Sequence, residues 1–201
     1  MKPHIVSALR IFYSGCDRAS GMRSIYEYLK NTAPAALNCD DILRSSLVLV
    51  VSSFDLYIHD IFRTEALHRL SFGKEIPILR VPFNAALLNG AAQAAMIENC
   101  IRKDNSFKSF VAPEKLAECL RQLTENPWDK VAEKLGASAS SCKARLKGVV
   151  DLRNRIAHEA DVNPAYGGIE LWPIYSEDIE NSIIFLRELG TAIARAVTDN
   201  Q

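Results

Sequence analysis

The chain has 201 residues, a length that favours one domain, and its 48% apolar and 24% charged residues are those of an ordinary globular protein. Lys plus Arg and Asp plus Glu each number 24. A net charge of zero argues against a generic polyanion binder and against a polybasic membrane anchor, since both rest on a basic excess.

Five cysteines are scattered without a CxxC pair. That argues against a disulfide framework and a structural zinc site, and each cysteine reads as a small core residue in a reducing cytoplasm. The longest apolar run, around Leu47 to Val51, is short and flanked by charges, so no bilayer span is expected. The N-terminus lacks the apolar stretch of a secretory signal, because Arg10 interrupts it.

In chain order, a first helix is expected over about residues 4–29. Ala8, Ile11, Phe12, Met22, Ile25, Tyr26 and Leu29 form its inner face, and Gly15 and Gly21 are candidate kinks. A second helix starts after Asn38 and Asp40 and runs to about Leu70, where Ser71-Phe72-Gly73 ends it. Its apolar residues cover several faces, which marks the centre of a bundle or a subunit interface. Residues 74–83, with Pro77 and Pro82, read as an irregular crossing. A small-residue helix follows over about Asn84 to Ile101.

Pro113-Glu114 and Asn126-Pro127-Trp128-Asp129 read as the starts of two short helices ending near Leu123 and Gly136. A longer helix begins among Ser138 to Ser141 and reaches about Ala160. The loop from Asp161 to Gly168 carries Asn163-Pro164 and Gly167-Gly168 as turn signals. The last helix starts at Ser176, runs to about Val197, and turns Ile179, Ile183, Ile184, Leu186, Leu189 and Ile193 inward. Trp128 and Trp172 read as satellite core. The expected fold is all-α, a bundle of two long antiparallel helix pairs with extra short helices. It is read as one domain over 1–201, with a core of about 40–198 on which residues 1–39 pack as an N-terminal helix.

The stretch richest in chemistry is Asp151-Leu152-Arg153-Asn154-Arg155-Ile156-Ala157-His158-Glu159. At 100° per residue, Asp151, Asn154 and His158 share one stripe. Arg153 falls beside Val149, Val150, Ile156 and Ala157, on the face that seeks the core. An Arg there is uncommon unless it is paired or lines a cleft. A histidine that can take and give protons, beside a cationic Arg, suits phosphodiester chemistry. The same residues also read as ordinary surface groups, with His158 bonding a carbonyl. A second stripe, Ser52, Asp55, His59 and Arg63, draws a polar line along the central helix. It reads either as part of a site or as a solvated face of local ion pairs, Asp55 with His59 and Asp60 with Arg63. No phosphate-binding loop, dinucleotide fingerprint, zinc-protease, nucleophile-elbow or EF-hand motif is present, so neither a cofactor nor a metal is expected.

Arg153-Asn154-Arg155-Ile156-Ala157-His158 resembles the RNxxxH form of the R-x(4-6)-H motif of the HEPN superfamily. The wider context resembles the RiboL-PSP-HEPN family. It comprises Leu43-Arg44-Ser45-Ser46-Leu47, Phe54 to Asp60, Pro127 to Ala132, Glu159-Ala160-Asp161 and Trp172-Pro173-Ile174, all within about residues 40–198. The resemblance implies a HEPN-type helical bundle, usually a homodimer, and in many relatives a metal-independent endoribonuclease. Carried over by position, His158 is the general acid/base, Arg153 the phosphate-binding cation and Asn154 an orienting residue. Asp55 would be a supporting acid, with Asp151 and His59 beside it.

The implied reaction is 2′-OH attack giving a 2′,3′-cyclic phosphate, in a toxin–antitoxin or other defence or stress setting. The implied partners are RNA, a second copy of the chain and an antitoxin or other protein, but no membrane. A non-catalytic HEPN scaffold or nucleotide- or RNA-binding module is the alternative. The Tyr found two residues after the motif His in some toxins is Ala160 here. Zero net charge conceals an uneven distribution. Residues 101–148 carry ten basic and six acidic side chains, and residues 151–201 carry four and nine. The basic middle is therefore the expected rail for RNA.

Overall fold

A computed structural model describes residues 1–34, 37–74, 76, 79–80, 82–167 and 170–199. Pro77 and Gly168, read above as breakers, lie outside the described residues. The described residues form eight α-helices: α1 (Pro3–Thr32), α2 (Asp40–Ser71), α3 (Phe83–Ala86), α4 (Gly90–Asn105), α5 (Pro113–Leu120), α6 (Pro127–Leu135), α7 (Ala139–Glu159) and α8 (Ser176–Thr198). A 3-10 turn occupies Pro164–Tyr166. Among the described residues no strand occurs beyond an isolated bridge between Val162 and Leu171. The architecture is an all-α bundle, as expected.

The boundaries follow local chemistry. Pro127 opens α6 and Gly136, at φ 63°, closes it. Ser138 caps α7 by accepting a hydrogen bond from the Ser141 amide. The helix expected over 84–101 is instead two. The backbone is extended at Asn89 (φ −125°, ψ 154°) and turns at Gly90 (φ 59°), so α3, which stops at Ala86, is not continued and α4 starts anew at Gly90 and reaches Asn105. The first of the short helices ends at Leu120 rather than near Leu123.

α1 lies antiparallel to α2, and α8 runs antiparallel to α1. Ser46 Oγ donates to the Ala19 carbonyl and Tyr13 Oη meets Thr191 Oγ1 at 2.6 Å. α1 does not kink at Gly15. A Cβ there would collide with the Ser53 side chain, so this glycine sets how closely α1 approaches α2. Phe12, Phe54 and Tyr57 form the aromatic centre, with Phe12 stacked on Tyr57 at 4.9 Å. Tyr57 Oη donates to the Gly190 carbonyl at 2.7 Å, and Gly190 leaves the space that the Phe12 ring fills. Each fully buried ring contributes about 1.5–3 kcal/mol of hydrophobic stabilisation.

Three residues assigned inward do not go there. Ile11 and Ile25 are each 54% exposed, and Ile184 is 46% exposed. The buried stripe of α1 runs instead through Ile5, Ala8, Phe12, Cys16 and Ala19. α2 has the length and mean hydropathy, 1.3, of a membrane span, but half of that window is buried inside the bundle between α1, α7 and α8.

α7 packs antiparallel against α8, with the Arg145 guanidinium 4.4 Å from the Phe185 ring and bonded to the Asn181 carbonyl. Its inner residues Cys142, Leu146, Val149 and Val150 join the same core as α1, α2 and α8, so α1 is part of one core. At the far end of α2, Glu65 is fully buried and accepts from Lys2, Arg69 and His4. Burial pushes its pKa up, but these three donors hold it below the usual carboxylate value.

Candidate active site

The inner stripe of α7 continues from Val149 and Val150 directly to Arg153. Its Nε is buried and has no hydrogen-bond partner, and among the described residues Arg153 forms no ion pair. A buried donor left unmade costs about 1–3 kcal/mol. The chain therefore carries a cation on its core-facing stripe that no acid among the described residues neutralises.

Asn154 is half-buried and His158 is exposed, and neither side chain makes a hydrogen bond among the described residues. Asp151, on the same stripe, is exposed and paired with Lys147 at 2.6 Å. Five residues of helix rotate His158 about 140° from Arg153. Ala157, at about 40°, and Asn154, at about 100°, lie between them in azimuth at this helix end. Beside it, an open depression of about 650 Å³ follows the seam between α2 and α7. Ser45, Val48, Leu49 and Ser52 line one side and Ile156 and Ala160 the other.

The supporting residues of α2 have other hydrogen-bond and ion-pair partners. Asp55 accepts from the Phe110 amide at 2.8 Å and faces His59 at 3.8 Å. His59 Nε2 meets the Lys108 carbonyl at 3.1 Å and therefore donates, while its ring packs on Phe110 at 4.6 Å. The pair pins residues 108–110 to α2. One turn on, Arg63 bridges Asp60 at 2.8 Å and Glu98 of α4 at 2.7 Å. The polar line on α2 thus anchors the segment from α4 to α5. Asp55 and His59 are not brought to Arg153 or His158 as ion-pair or hydrogen-bond partners.

Arg155, the second arginine of the motif, is committed. Its Nε donates to Asp161 Oδ1 at 2.5 Å, and Arg44 Nε of α2 donates to Asp161 Oδ2 at 2.8 Å. Asp161 is fully buried and Arg44 is 6% exposed. Arg44 Nη2 also donates to the Trp172 carbonyl at 2.7 Å, the Trp172 amide donates to the Asp161 carbonyl at 2.9 Å, and Arg155 lies 5.2 Å from the Trp172 ring. One carboxylate ties together α2, the end of α7 and the segment entering α8. Reading the residues one by one missed this node. In the sequence Trp172 reads as satellite core, Asp161 as the start of a loop, and Arg44 only as part of a family string.

Other chemistry is sparse. All five cysteines are free; Cys16, Cys119 and Cys142 are buried, whereas Cys39 and Cys100 are half-buried. Burial pushes the Cys16 thiol up to about 11 and the Cys119 thiol up to about 12, so neither is a thiolate nucleophile near neutrality. Among the described residues no group of three His, Cys, Asp or Glu side chains is placed to hold a metal ion.

The chain matches a known family. The RiboL-PSP-HEPN family matches residues 21–199 and leaves the first part of α1 outside. No curated protein and no solved structure matches the chain.

Proposed function

We propose that this chain, a member of the RiboL-PSP-HEPN family, is an endoribonuclease that cleaves RNA by internal attack of the 2′-hydroxyl. The observation that carries the reading is the unpartnered Arg153, with its buried Nε, one helix turn and a half from an unpartnered His158. An arginine fork without a counter-ion suits the non-bridging oxygens of a phosphodiester, on which charge grows as O2′ adds to phosphorus.

The steps follow from the groups available. A neutral His158 takes the proton from the 2′-hydroxyl, and O2′ forms its bond to phosphorus. The P–O5′ bond then breaks, and an imidazolium gives O5′ its proton. The products are a 2′,3′-cyclic phosphate and a 5′-hydroxyl. The nucleophile belongs to the substrate, so the protein supplies only proton transfer and charge stabilisation. A base and an acid are needed together, and one chain brings one His158. A two-fold homodimer with the α7 ends facing each other supplies the second histidine and doubles the arginines. Asn154, next to Arg153, orients phosphate or imidazole. The basic stretch 101–148 guides the strand despite the neutral total. Such an activity suits a toxin held by a protein antitoxin, or another defence or stress role.

The test is cleavage of a single-stranded RNA in excess EDTA by parent and His158→Ala proteins purified alike. Parent activity is expected to persist. The variant is expected to lose about 10²–10⁴-fold, the usual contribution of general acid–base catalysis. A variant cleaving at the parent rate would refute the assignment and favour a non-catalytic binding module.

A further inference from the structure

The last turn of a helix frays unless something ties it, yet His158 lies in the last turn of α7 and its side chain makes no hydrogen bond or ion pair among the described residues. What holds the turn sits just beyond. Ala160 and Asp161 are consecutive non-glycine residues at φ 51° and 57°, and both amides donate to the Arg155 carbonyl. This left-handed pair folds the chain back, so that the Asp161 carboxylate enters the interior and meets Arg155 from above and Arg44 from α2. The Arg155 backbone closes the helix end, and its side chain fastens the same end to α2 through one buried acid. Resting on the ribonuclease reading above, we infer that Arg155 and Asp161 are positioning residues. Their clamp fixes the turn that carries His158 and so sets where its imidazole stands relative to Arg153.

The discriminating variant is Arg155→Gln. It removes one arm of the clamp and leaves the buried Arg44–Asp161 pair intact, so the fold persists. Two measurements are made on the full chain. Amide hydrogen exchange at Ala160 and Asp161 is expected to rise about tenfold or more, while the amides of α2 keep their protection. On RNA, kcat is expected to fall about 10–100-fold with KM changed by less than about threefold, because misplacing a catalytic group by about 1 Å costs rate rather than binding. Arg155→Lys, which can still donate to Asp161, should recover part of kcat.

Unaltered exchange at Ala160 and Asp161 would overturn the clamp. A full kcat in Arg155→Gln would overturn the positioning role alone. A parent protein that cleaves no RNA would overturn the ribonuclease reading, while the exchange measurement, which needs no substrate, would still decide the clamp.

Discussion

Arg153→Met is expected to leave the protein at least as stable as the parent while slowing RNA cleavage about 10²–10³-fold. Methionine has nearly the length of the arginine stem and can lie along the same apolar stripe beside Val149 and Val150. It removes the buried Nε that has no partner. The stability change is therefore the relief of a desolvated donor, about 1–3 kcal/mol at most, set against slightly altered packing. The activity change is the loss of the one motif cation that no internal acid holds. Arg155 cannot substitute, because Asp161 holds it. Urea unfolding and single-turnover cleavage measure the two quantities separately. Unfolding of Arg153→Met, or undiminished cleavage by it, would show that Arg153 is a structural residue.

Asp161→Ala is expected to have the opposite signature, a loss of about 3–5 kcal/mol in unfolding free energy. Breaking a buried pair leaves an uncompensated charge, and Arg44 is only 6% exposed. Arg44 would keep its bond to the Trp172 carbonyl and a 3.4 Å contact with the exposed Asp41, neither of which replaces a buried carboxylate at 2.8 Å. Arg155, more exposed than Arg44, would swing to solvent. Arg44→Met combined with Asp161→Leu is expected to cost less than Asp161→Ala alone, because both charges leave the interior together. Denaturant midpoints of the single and double variants measure this, and a single variant as stable as the parent would contradict it.

The helices were legible where local chemistry marks their ends. α2, α6, α7 and α8 begin and stop within a residue or two of Asp40, Pro127, Ser138 and Ser176 and their matching breakers. Azimuth was less legible. Ile11, Ile25 and Ile184 have the apolarity of core residues, but which face turns inward is decided by partners elsewhere in the chain. The close contact of Gly15 with Ser53 rotates α1 so that Ile5 and Cys16 go in.

For the site, the anomaly of Arg153 on an inner stripe could be read from periodicity alone. The roles of Asp55 and His59 could not, since their partners, Phe110 and Lys108, lie about 50 residues away. The Arg44–Asp161 pair spans 117 residues and depends on two left-handed residues that no composition rule marks. Of the two arginines in the motif, the resemblance picks Arg153 by position, but nothing local marks that Arg155 is held by Asp161.

The central claim is that the nucleophile is the substrate's own 2′-hydroxyl, served by His158 and Arg153. End-group analysis of the RNA fragments formed in EDTA tests it most directly. The expected result is a 2′,3′-cyclic phosphate on one fragment and a 5′-hydroxyl on the other, with no cleavage after a nucleotide whose 2′-hydroxyl has been removed. Fragments ending in a 3′-hydroxyl and a 5′-phosphate, or continued cleavage at the 2′-deoxy position, would contradict it.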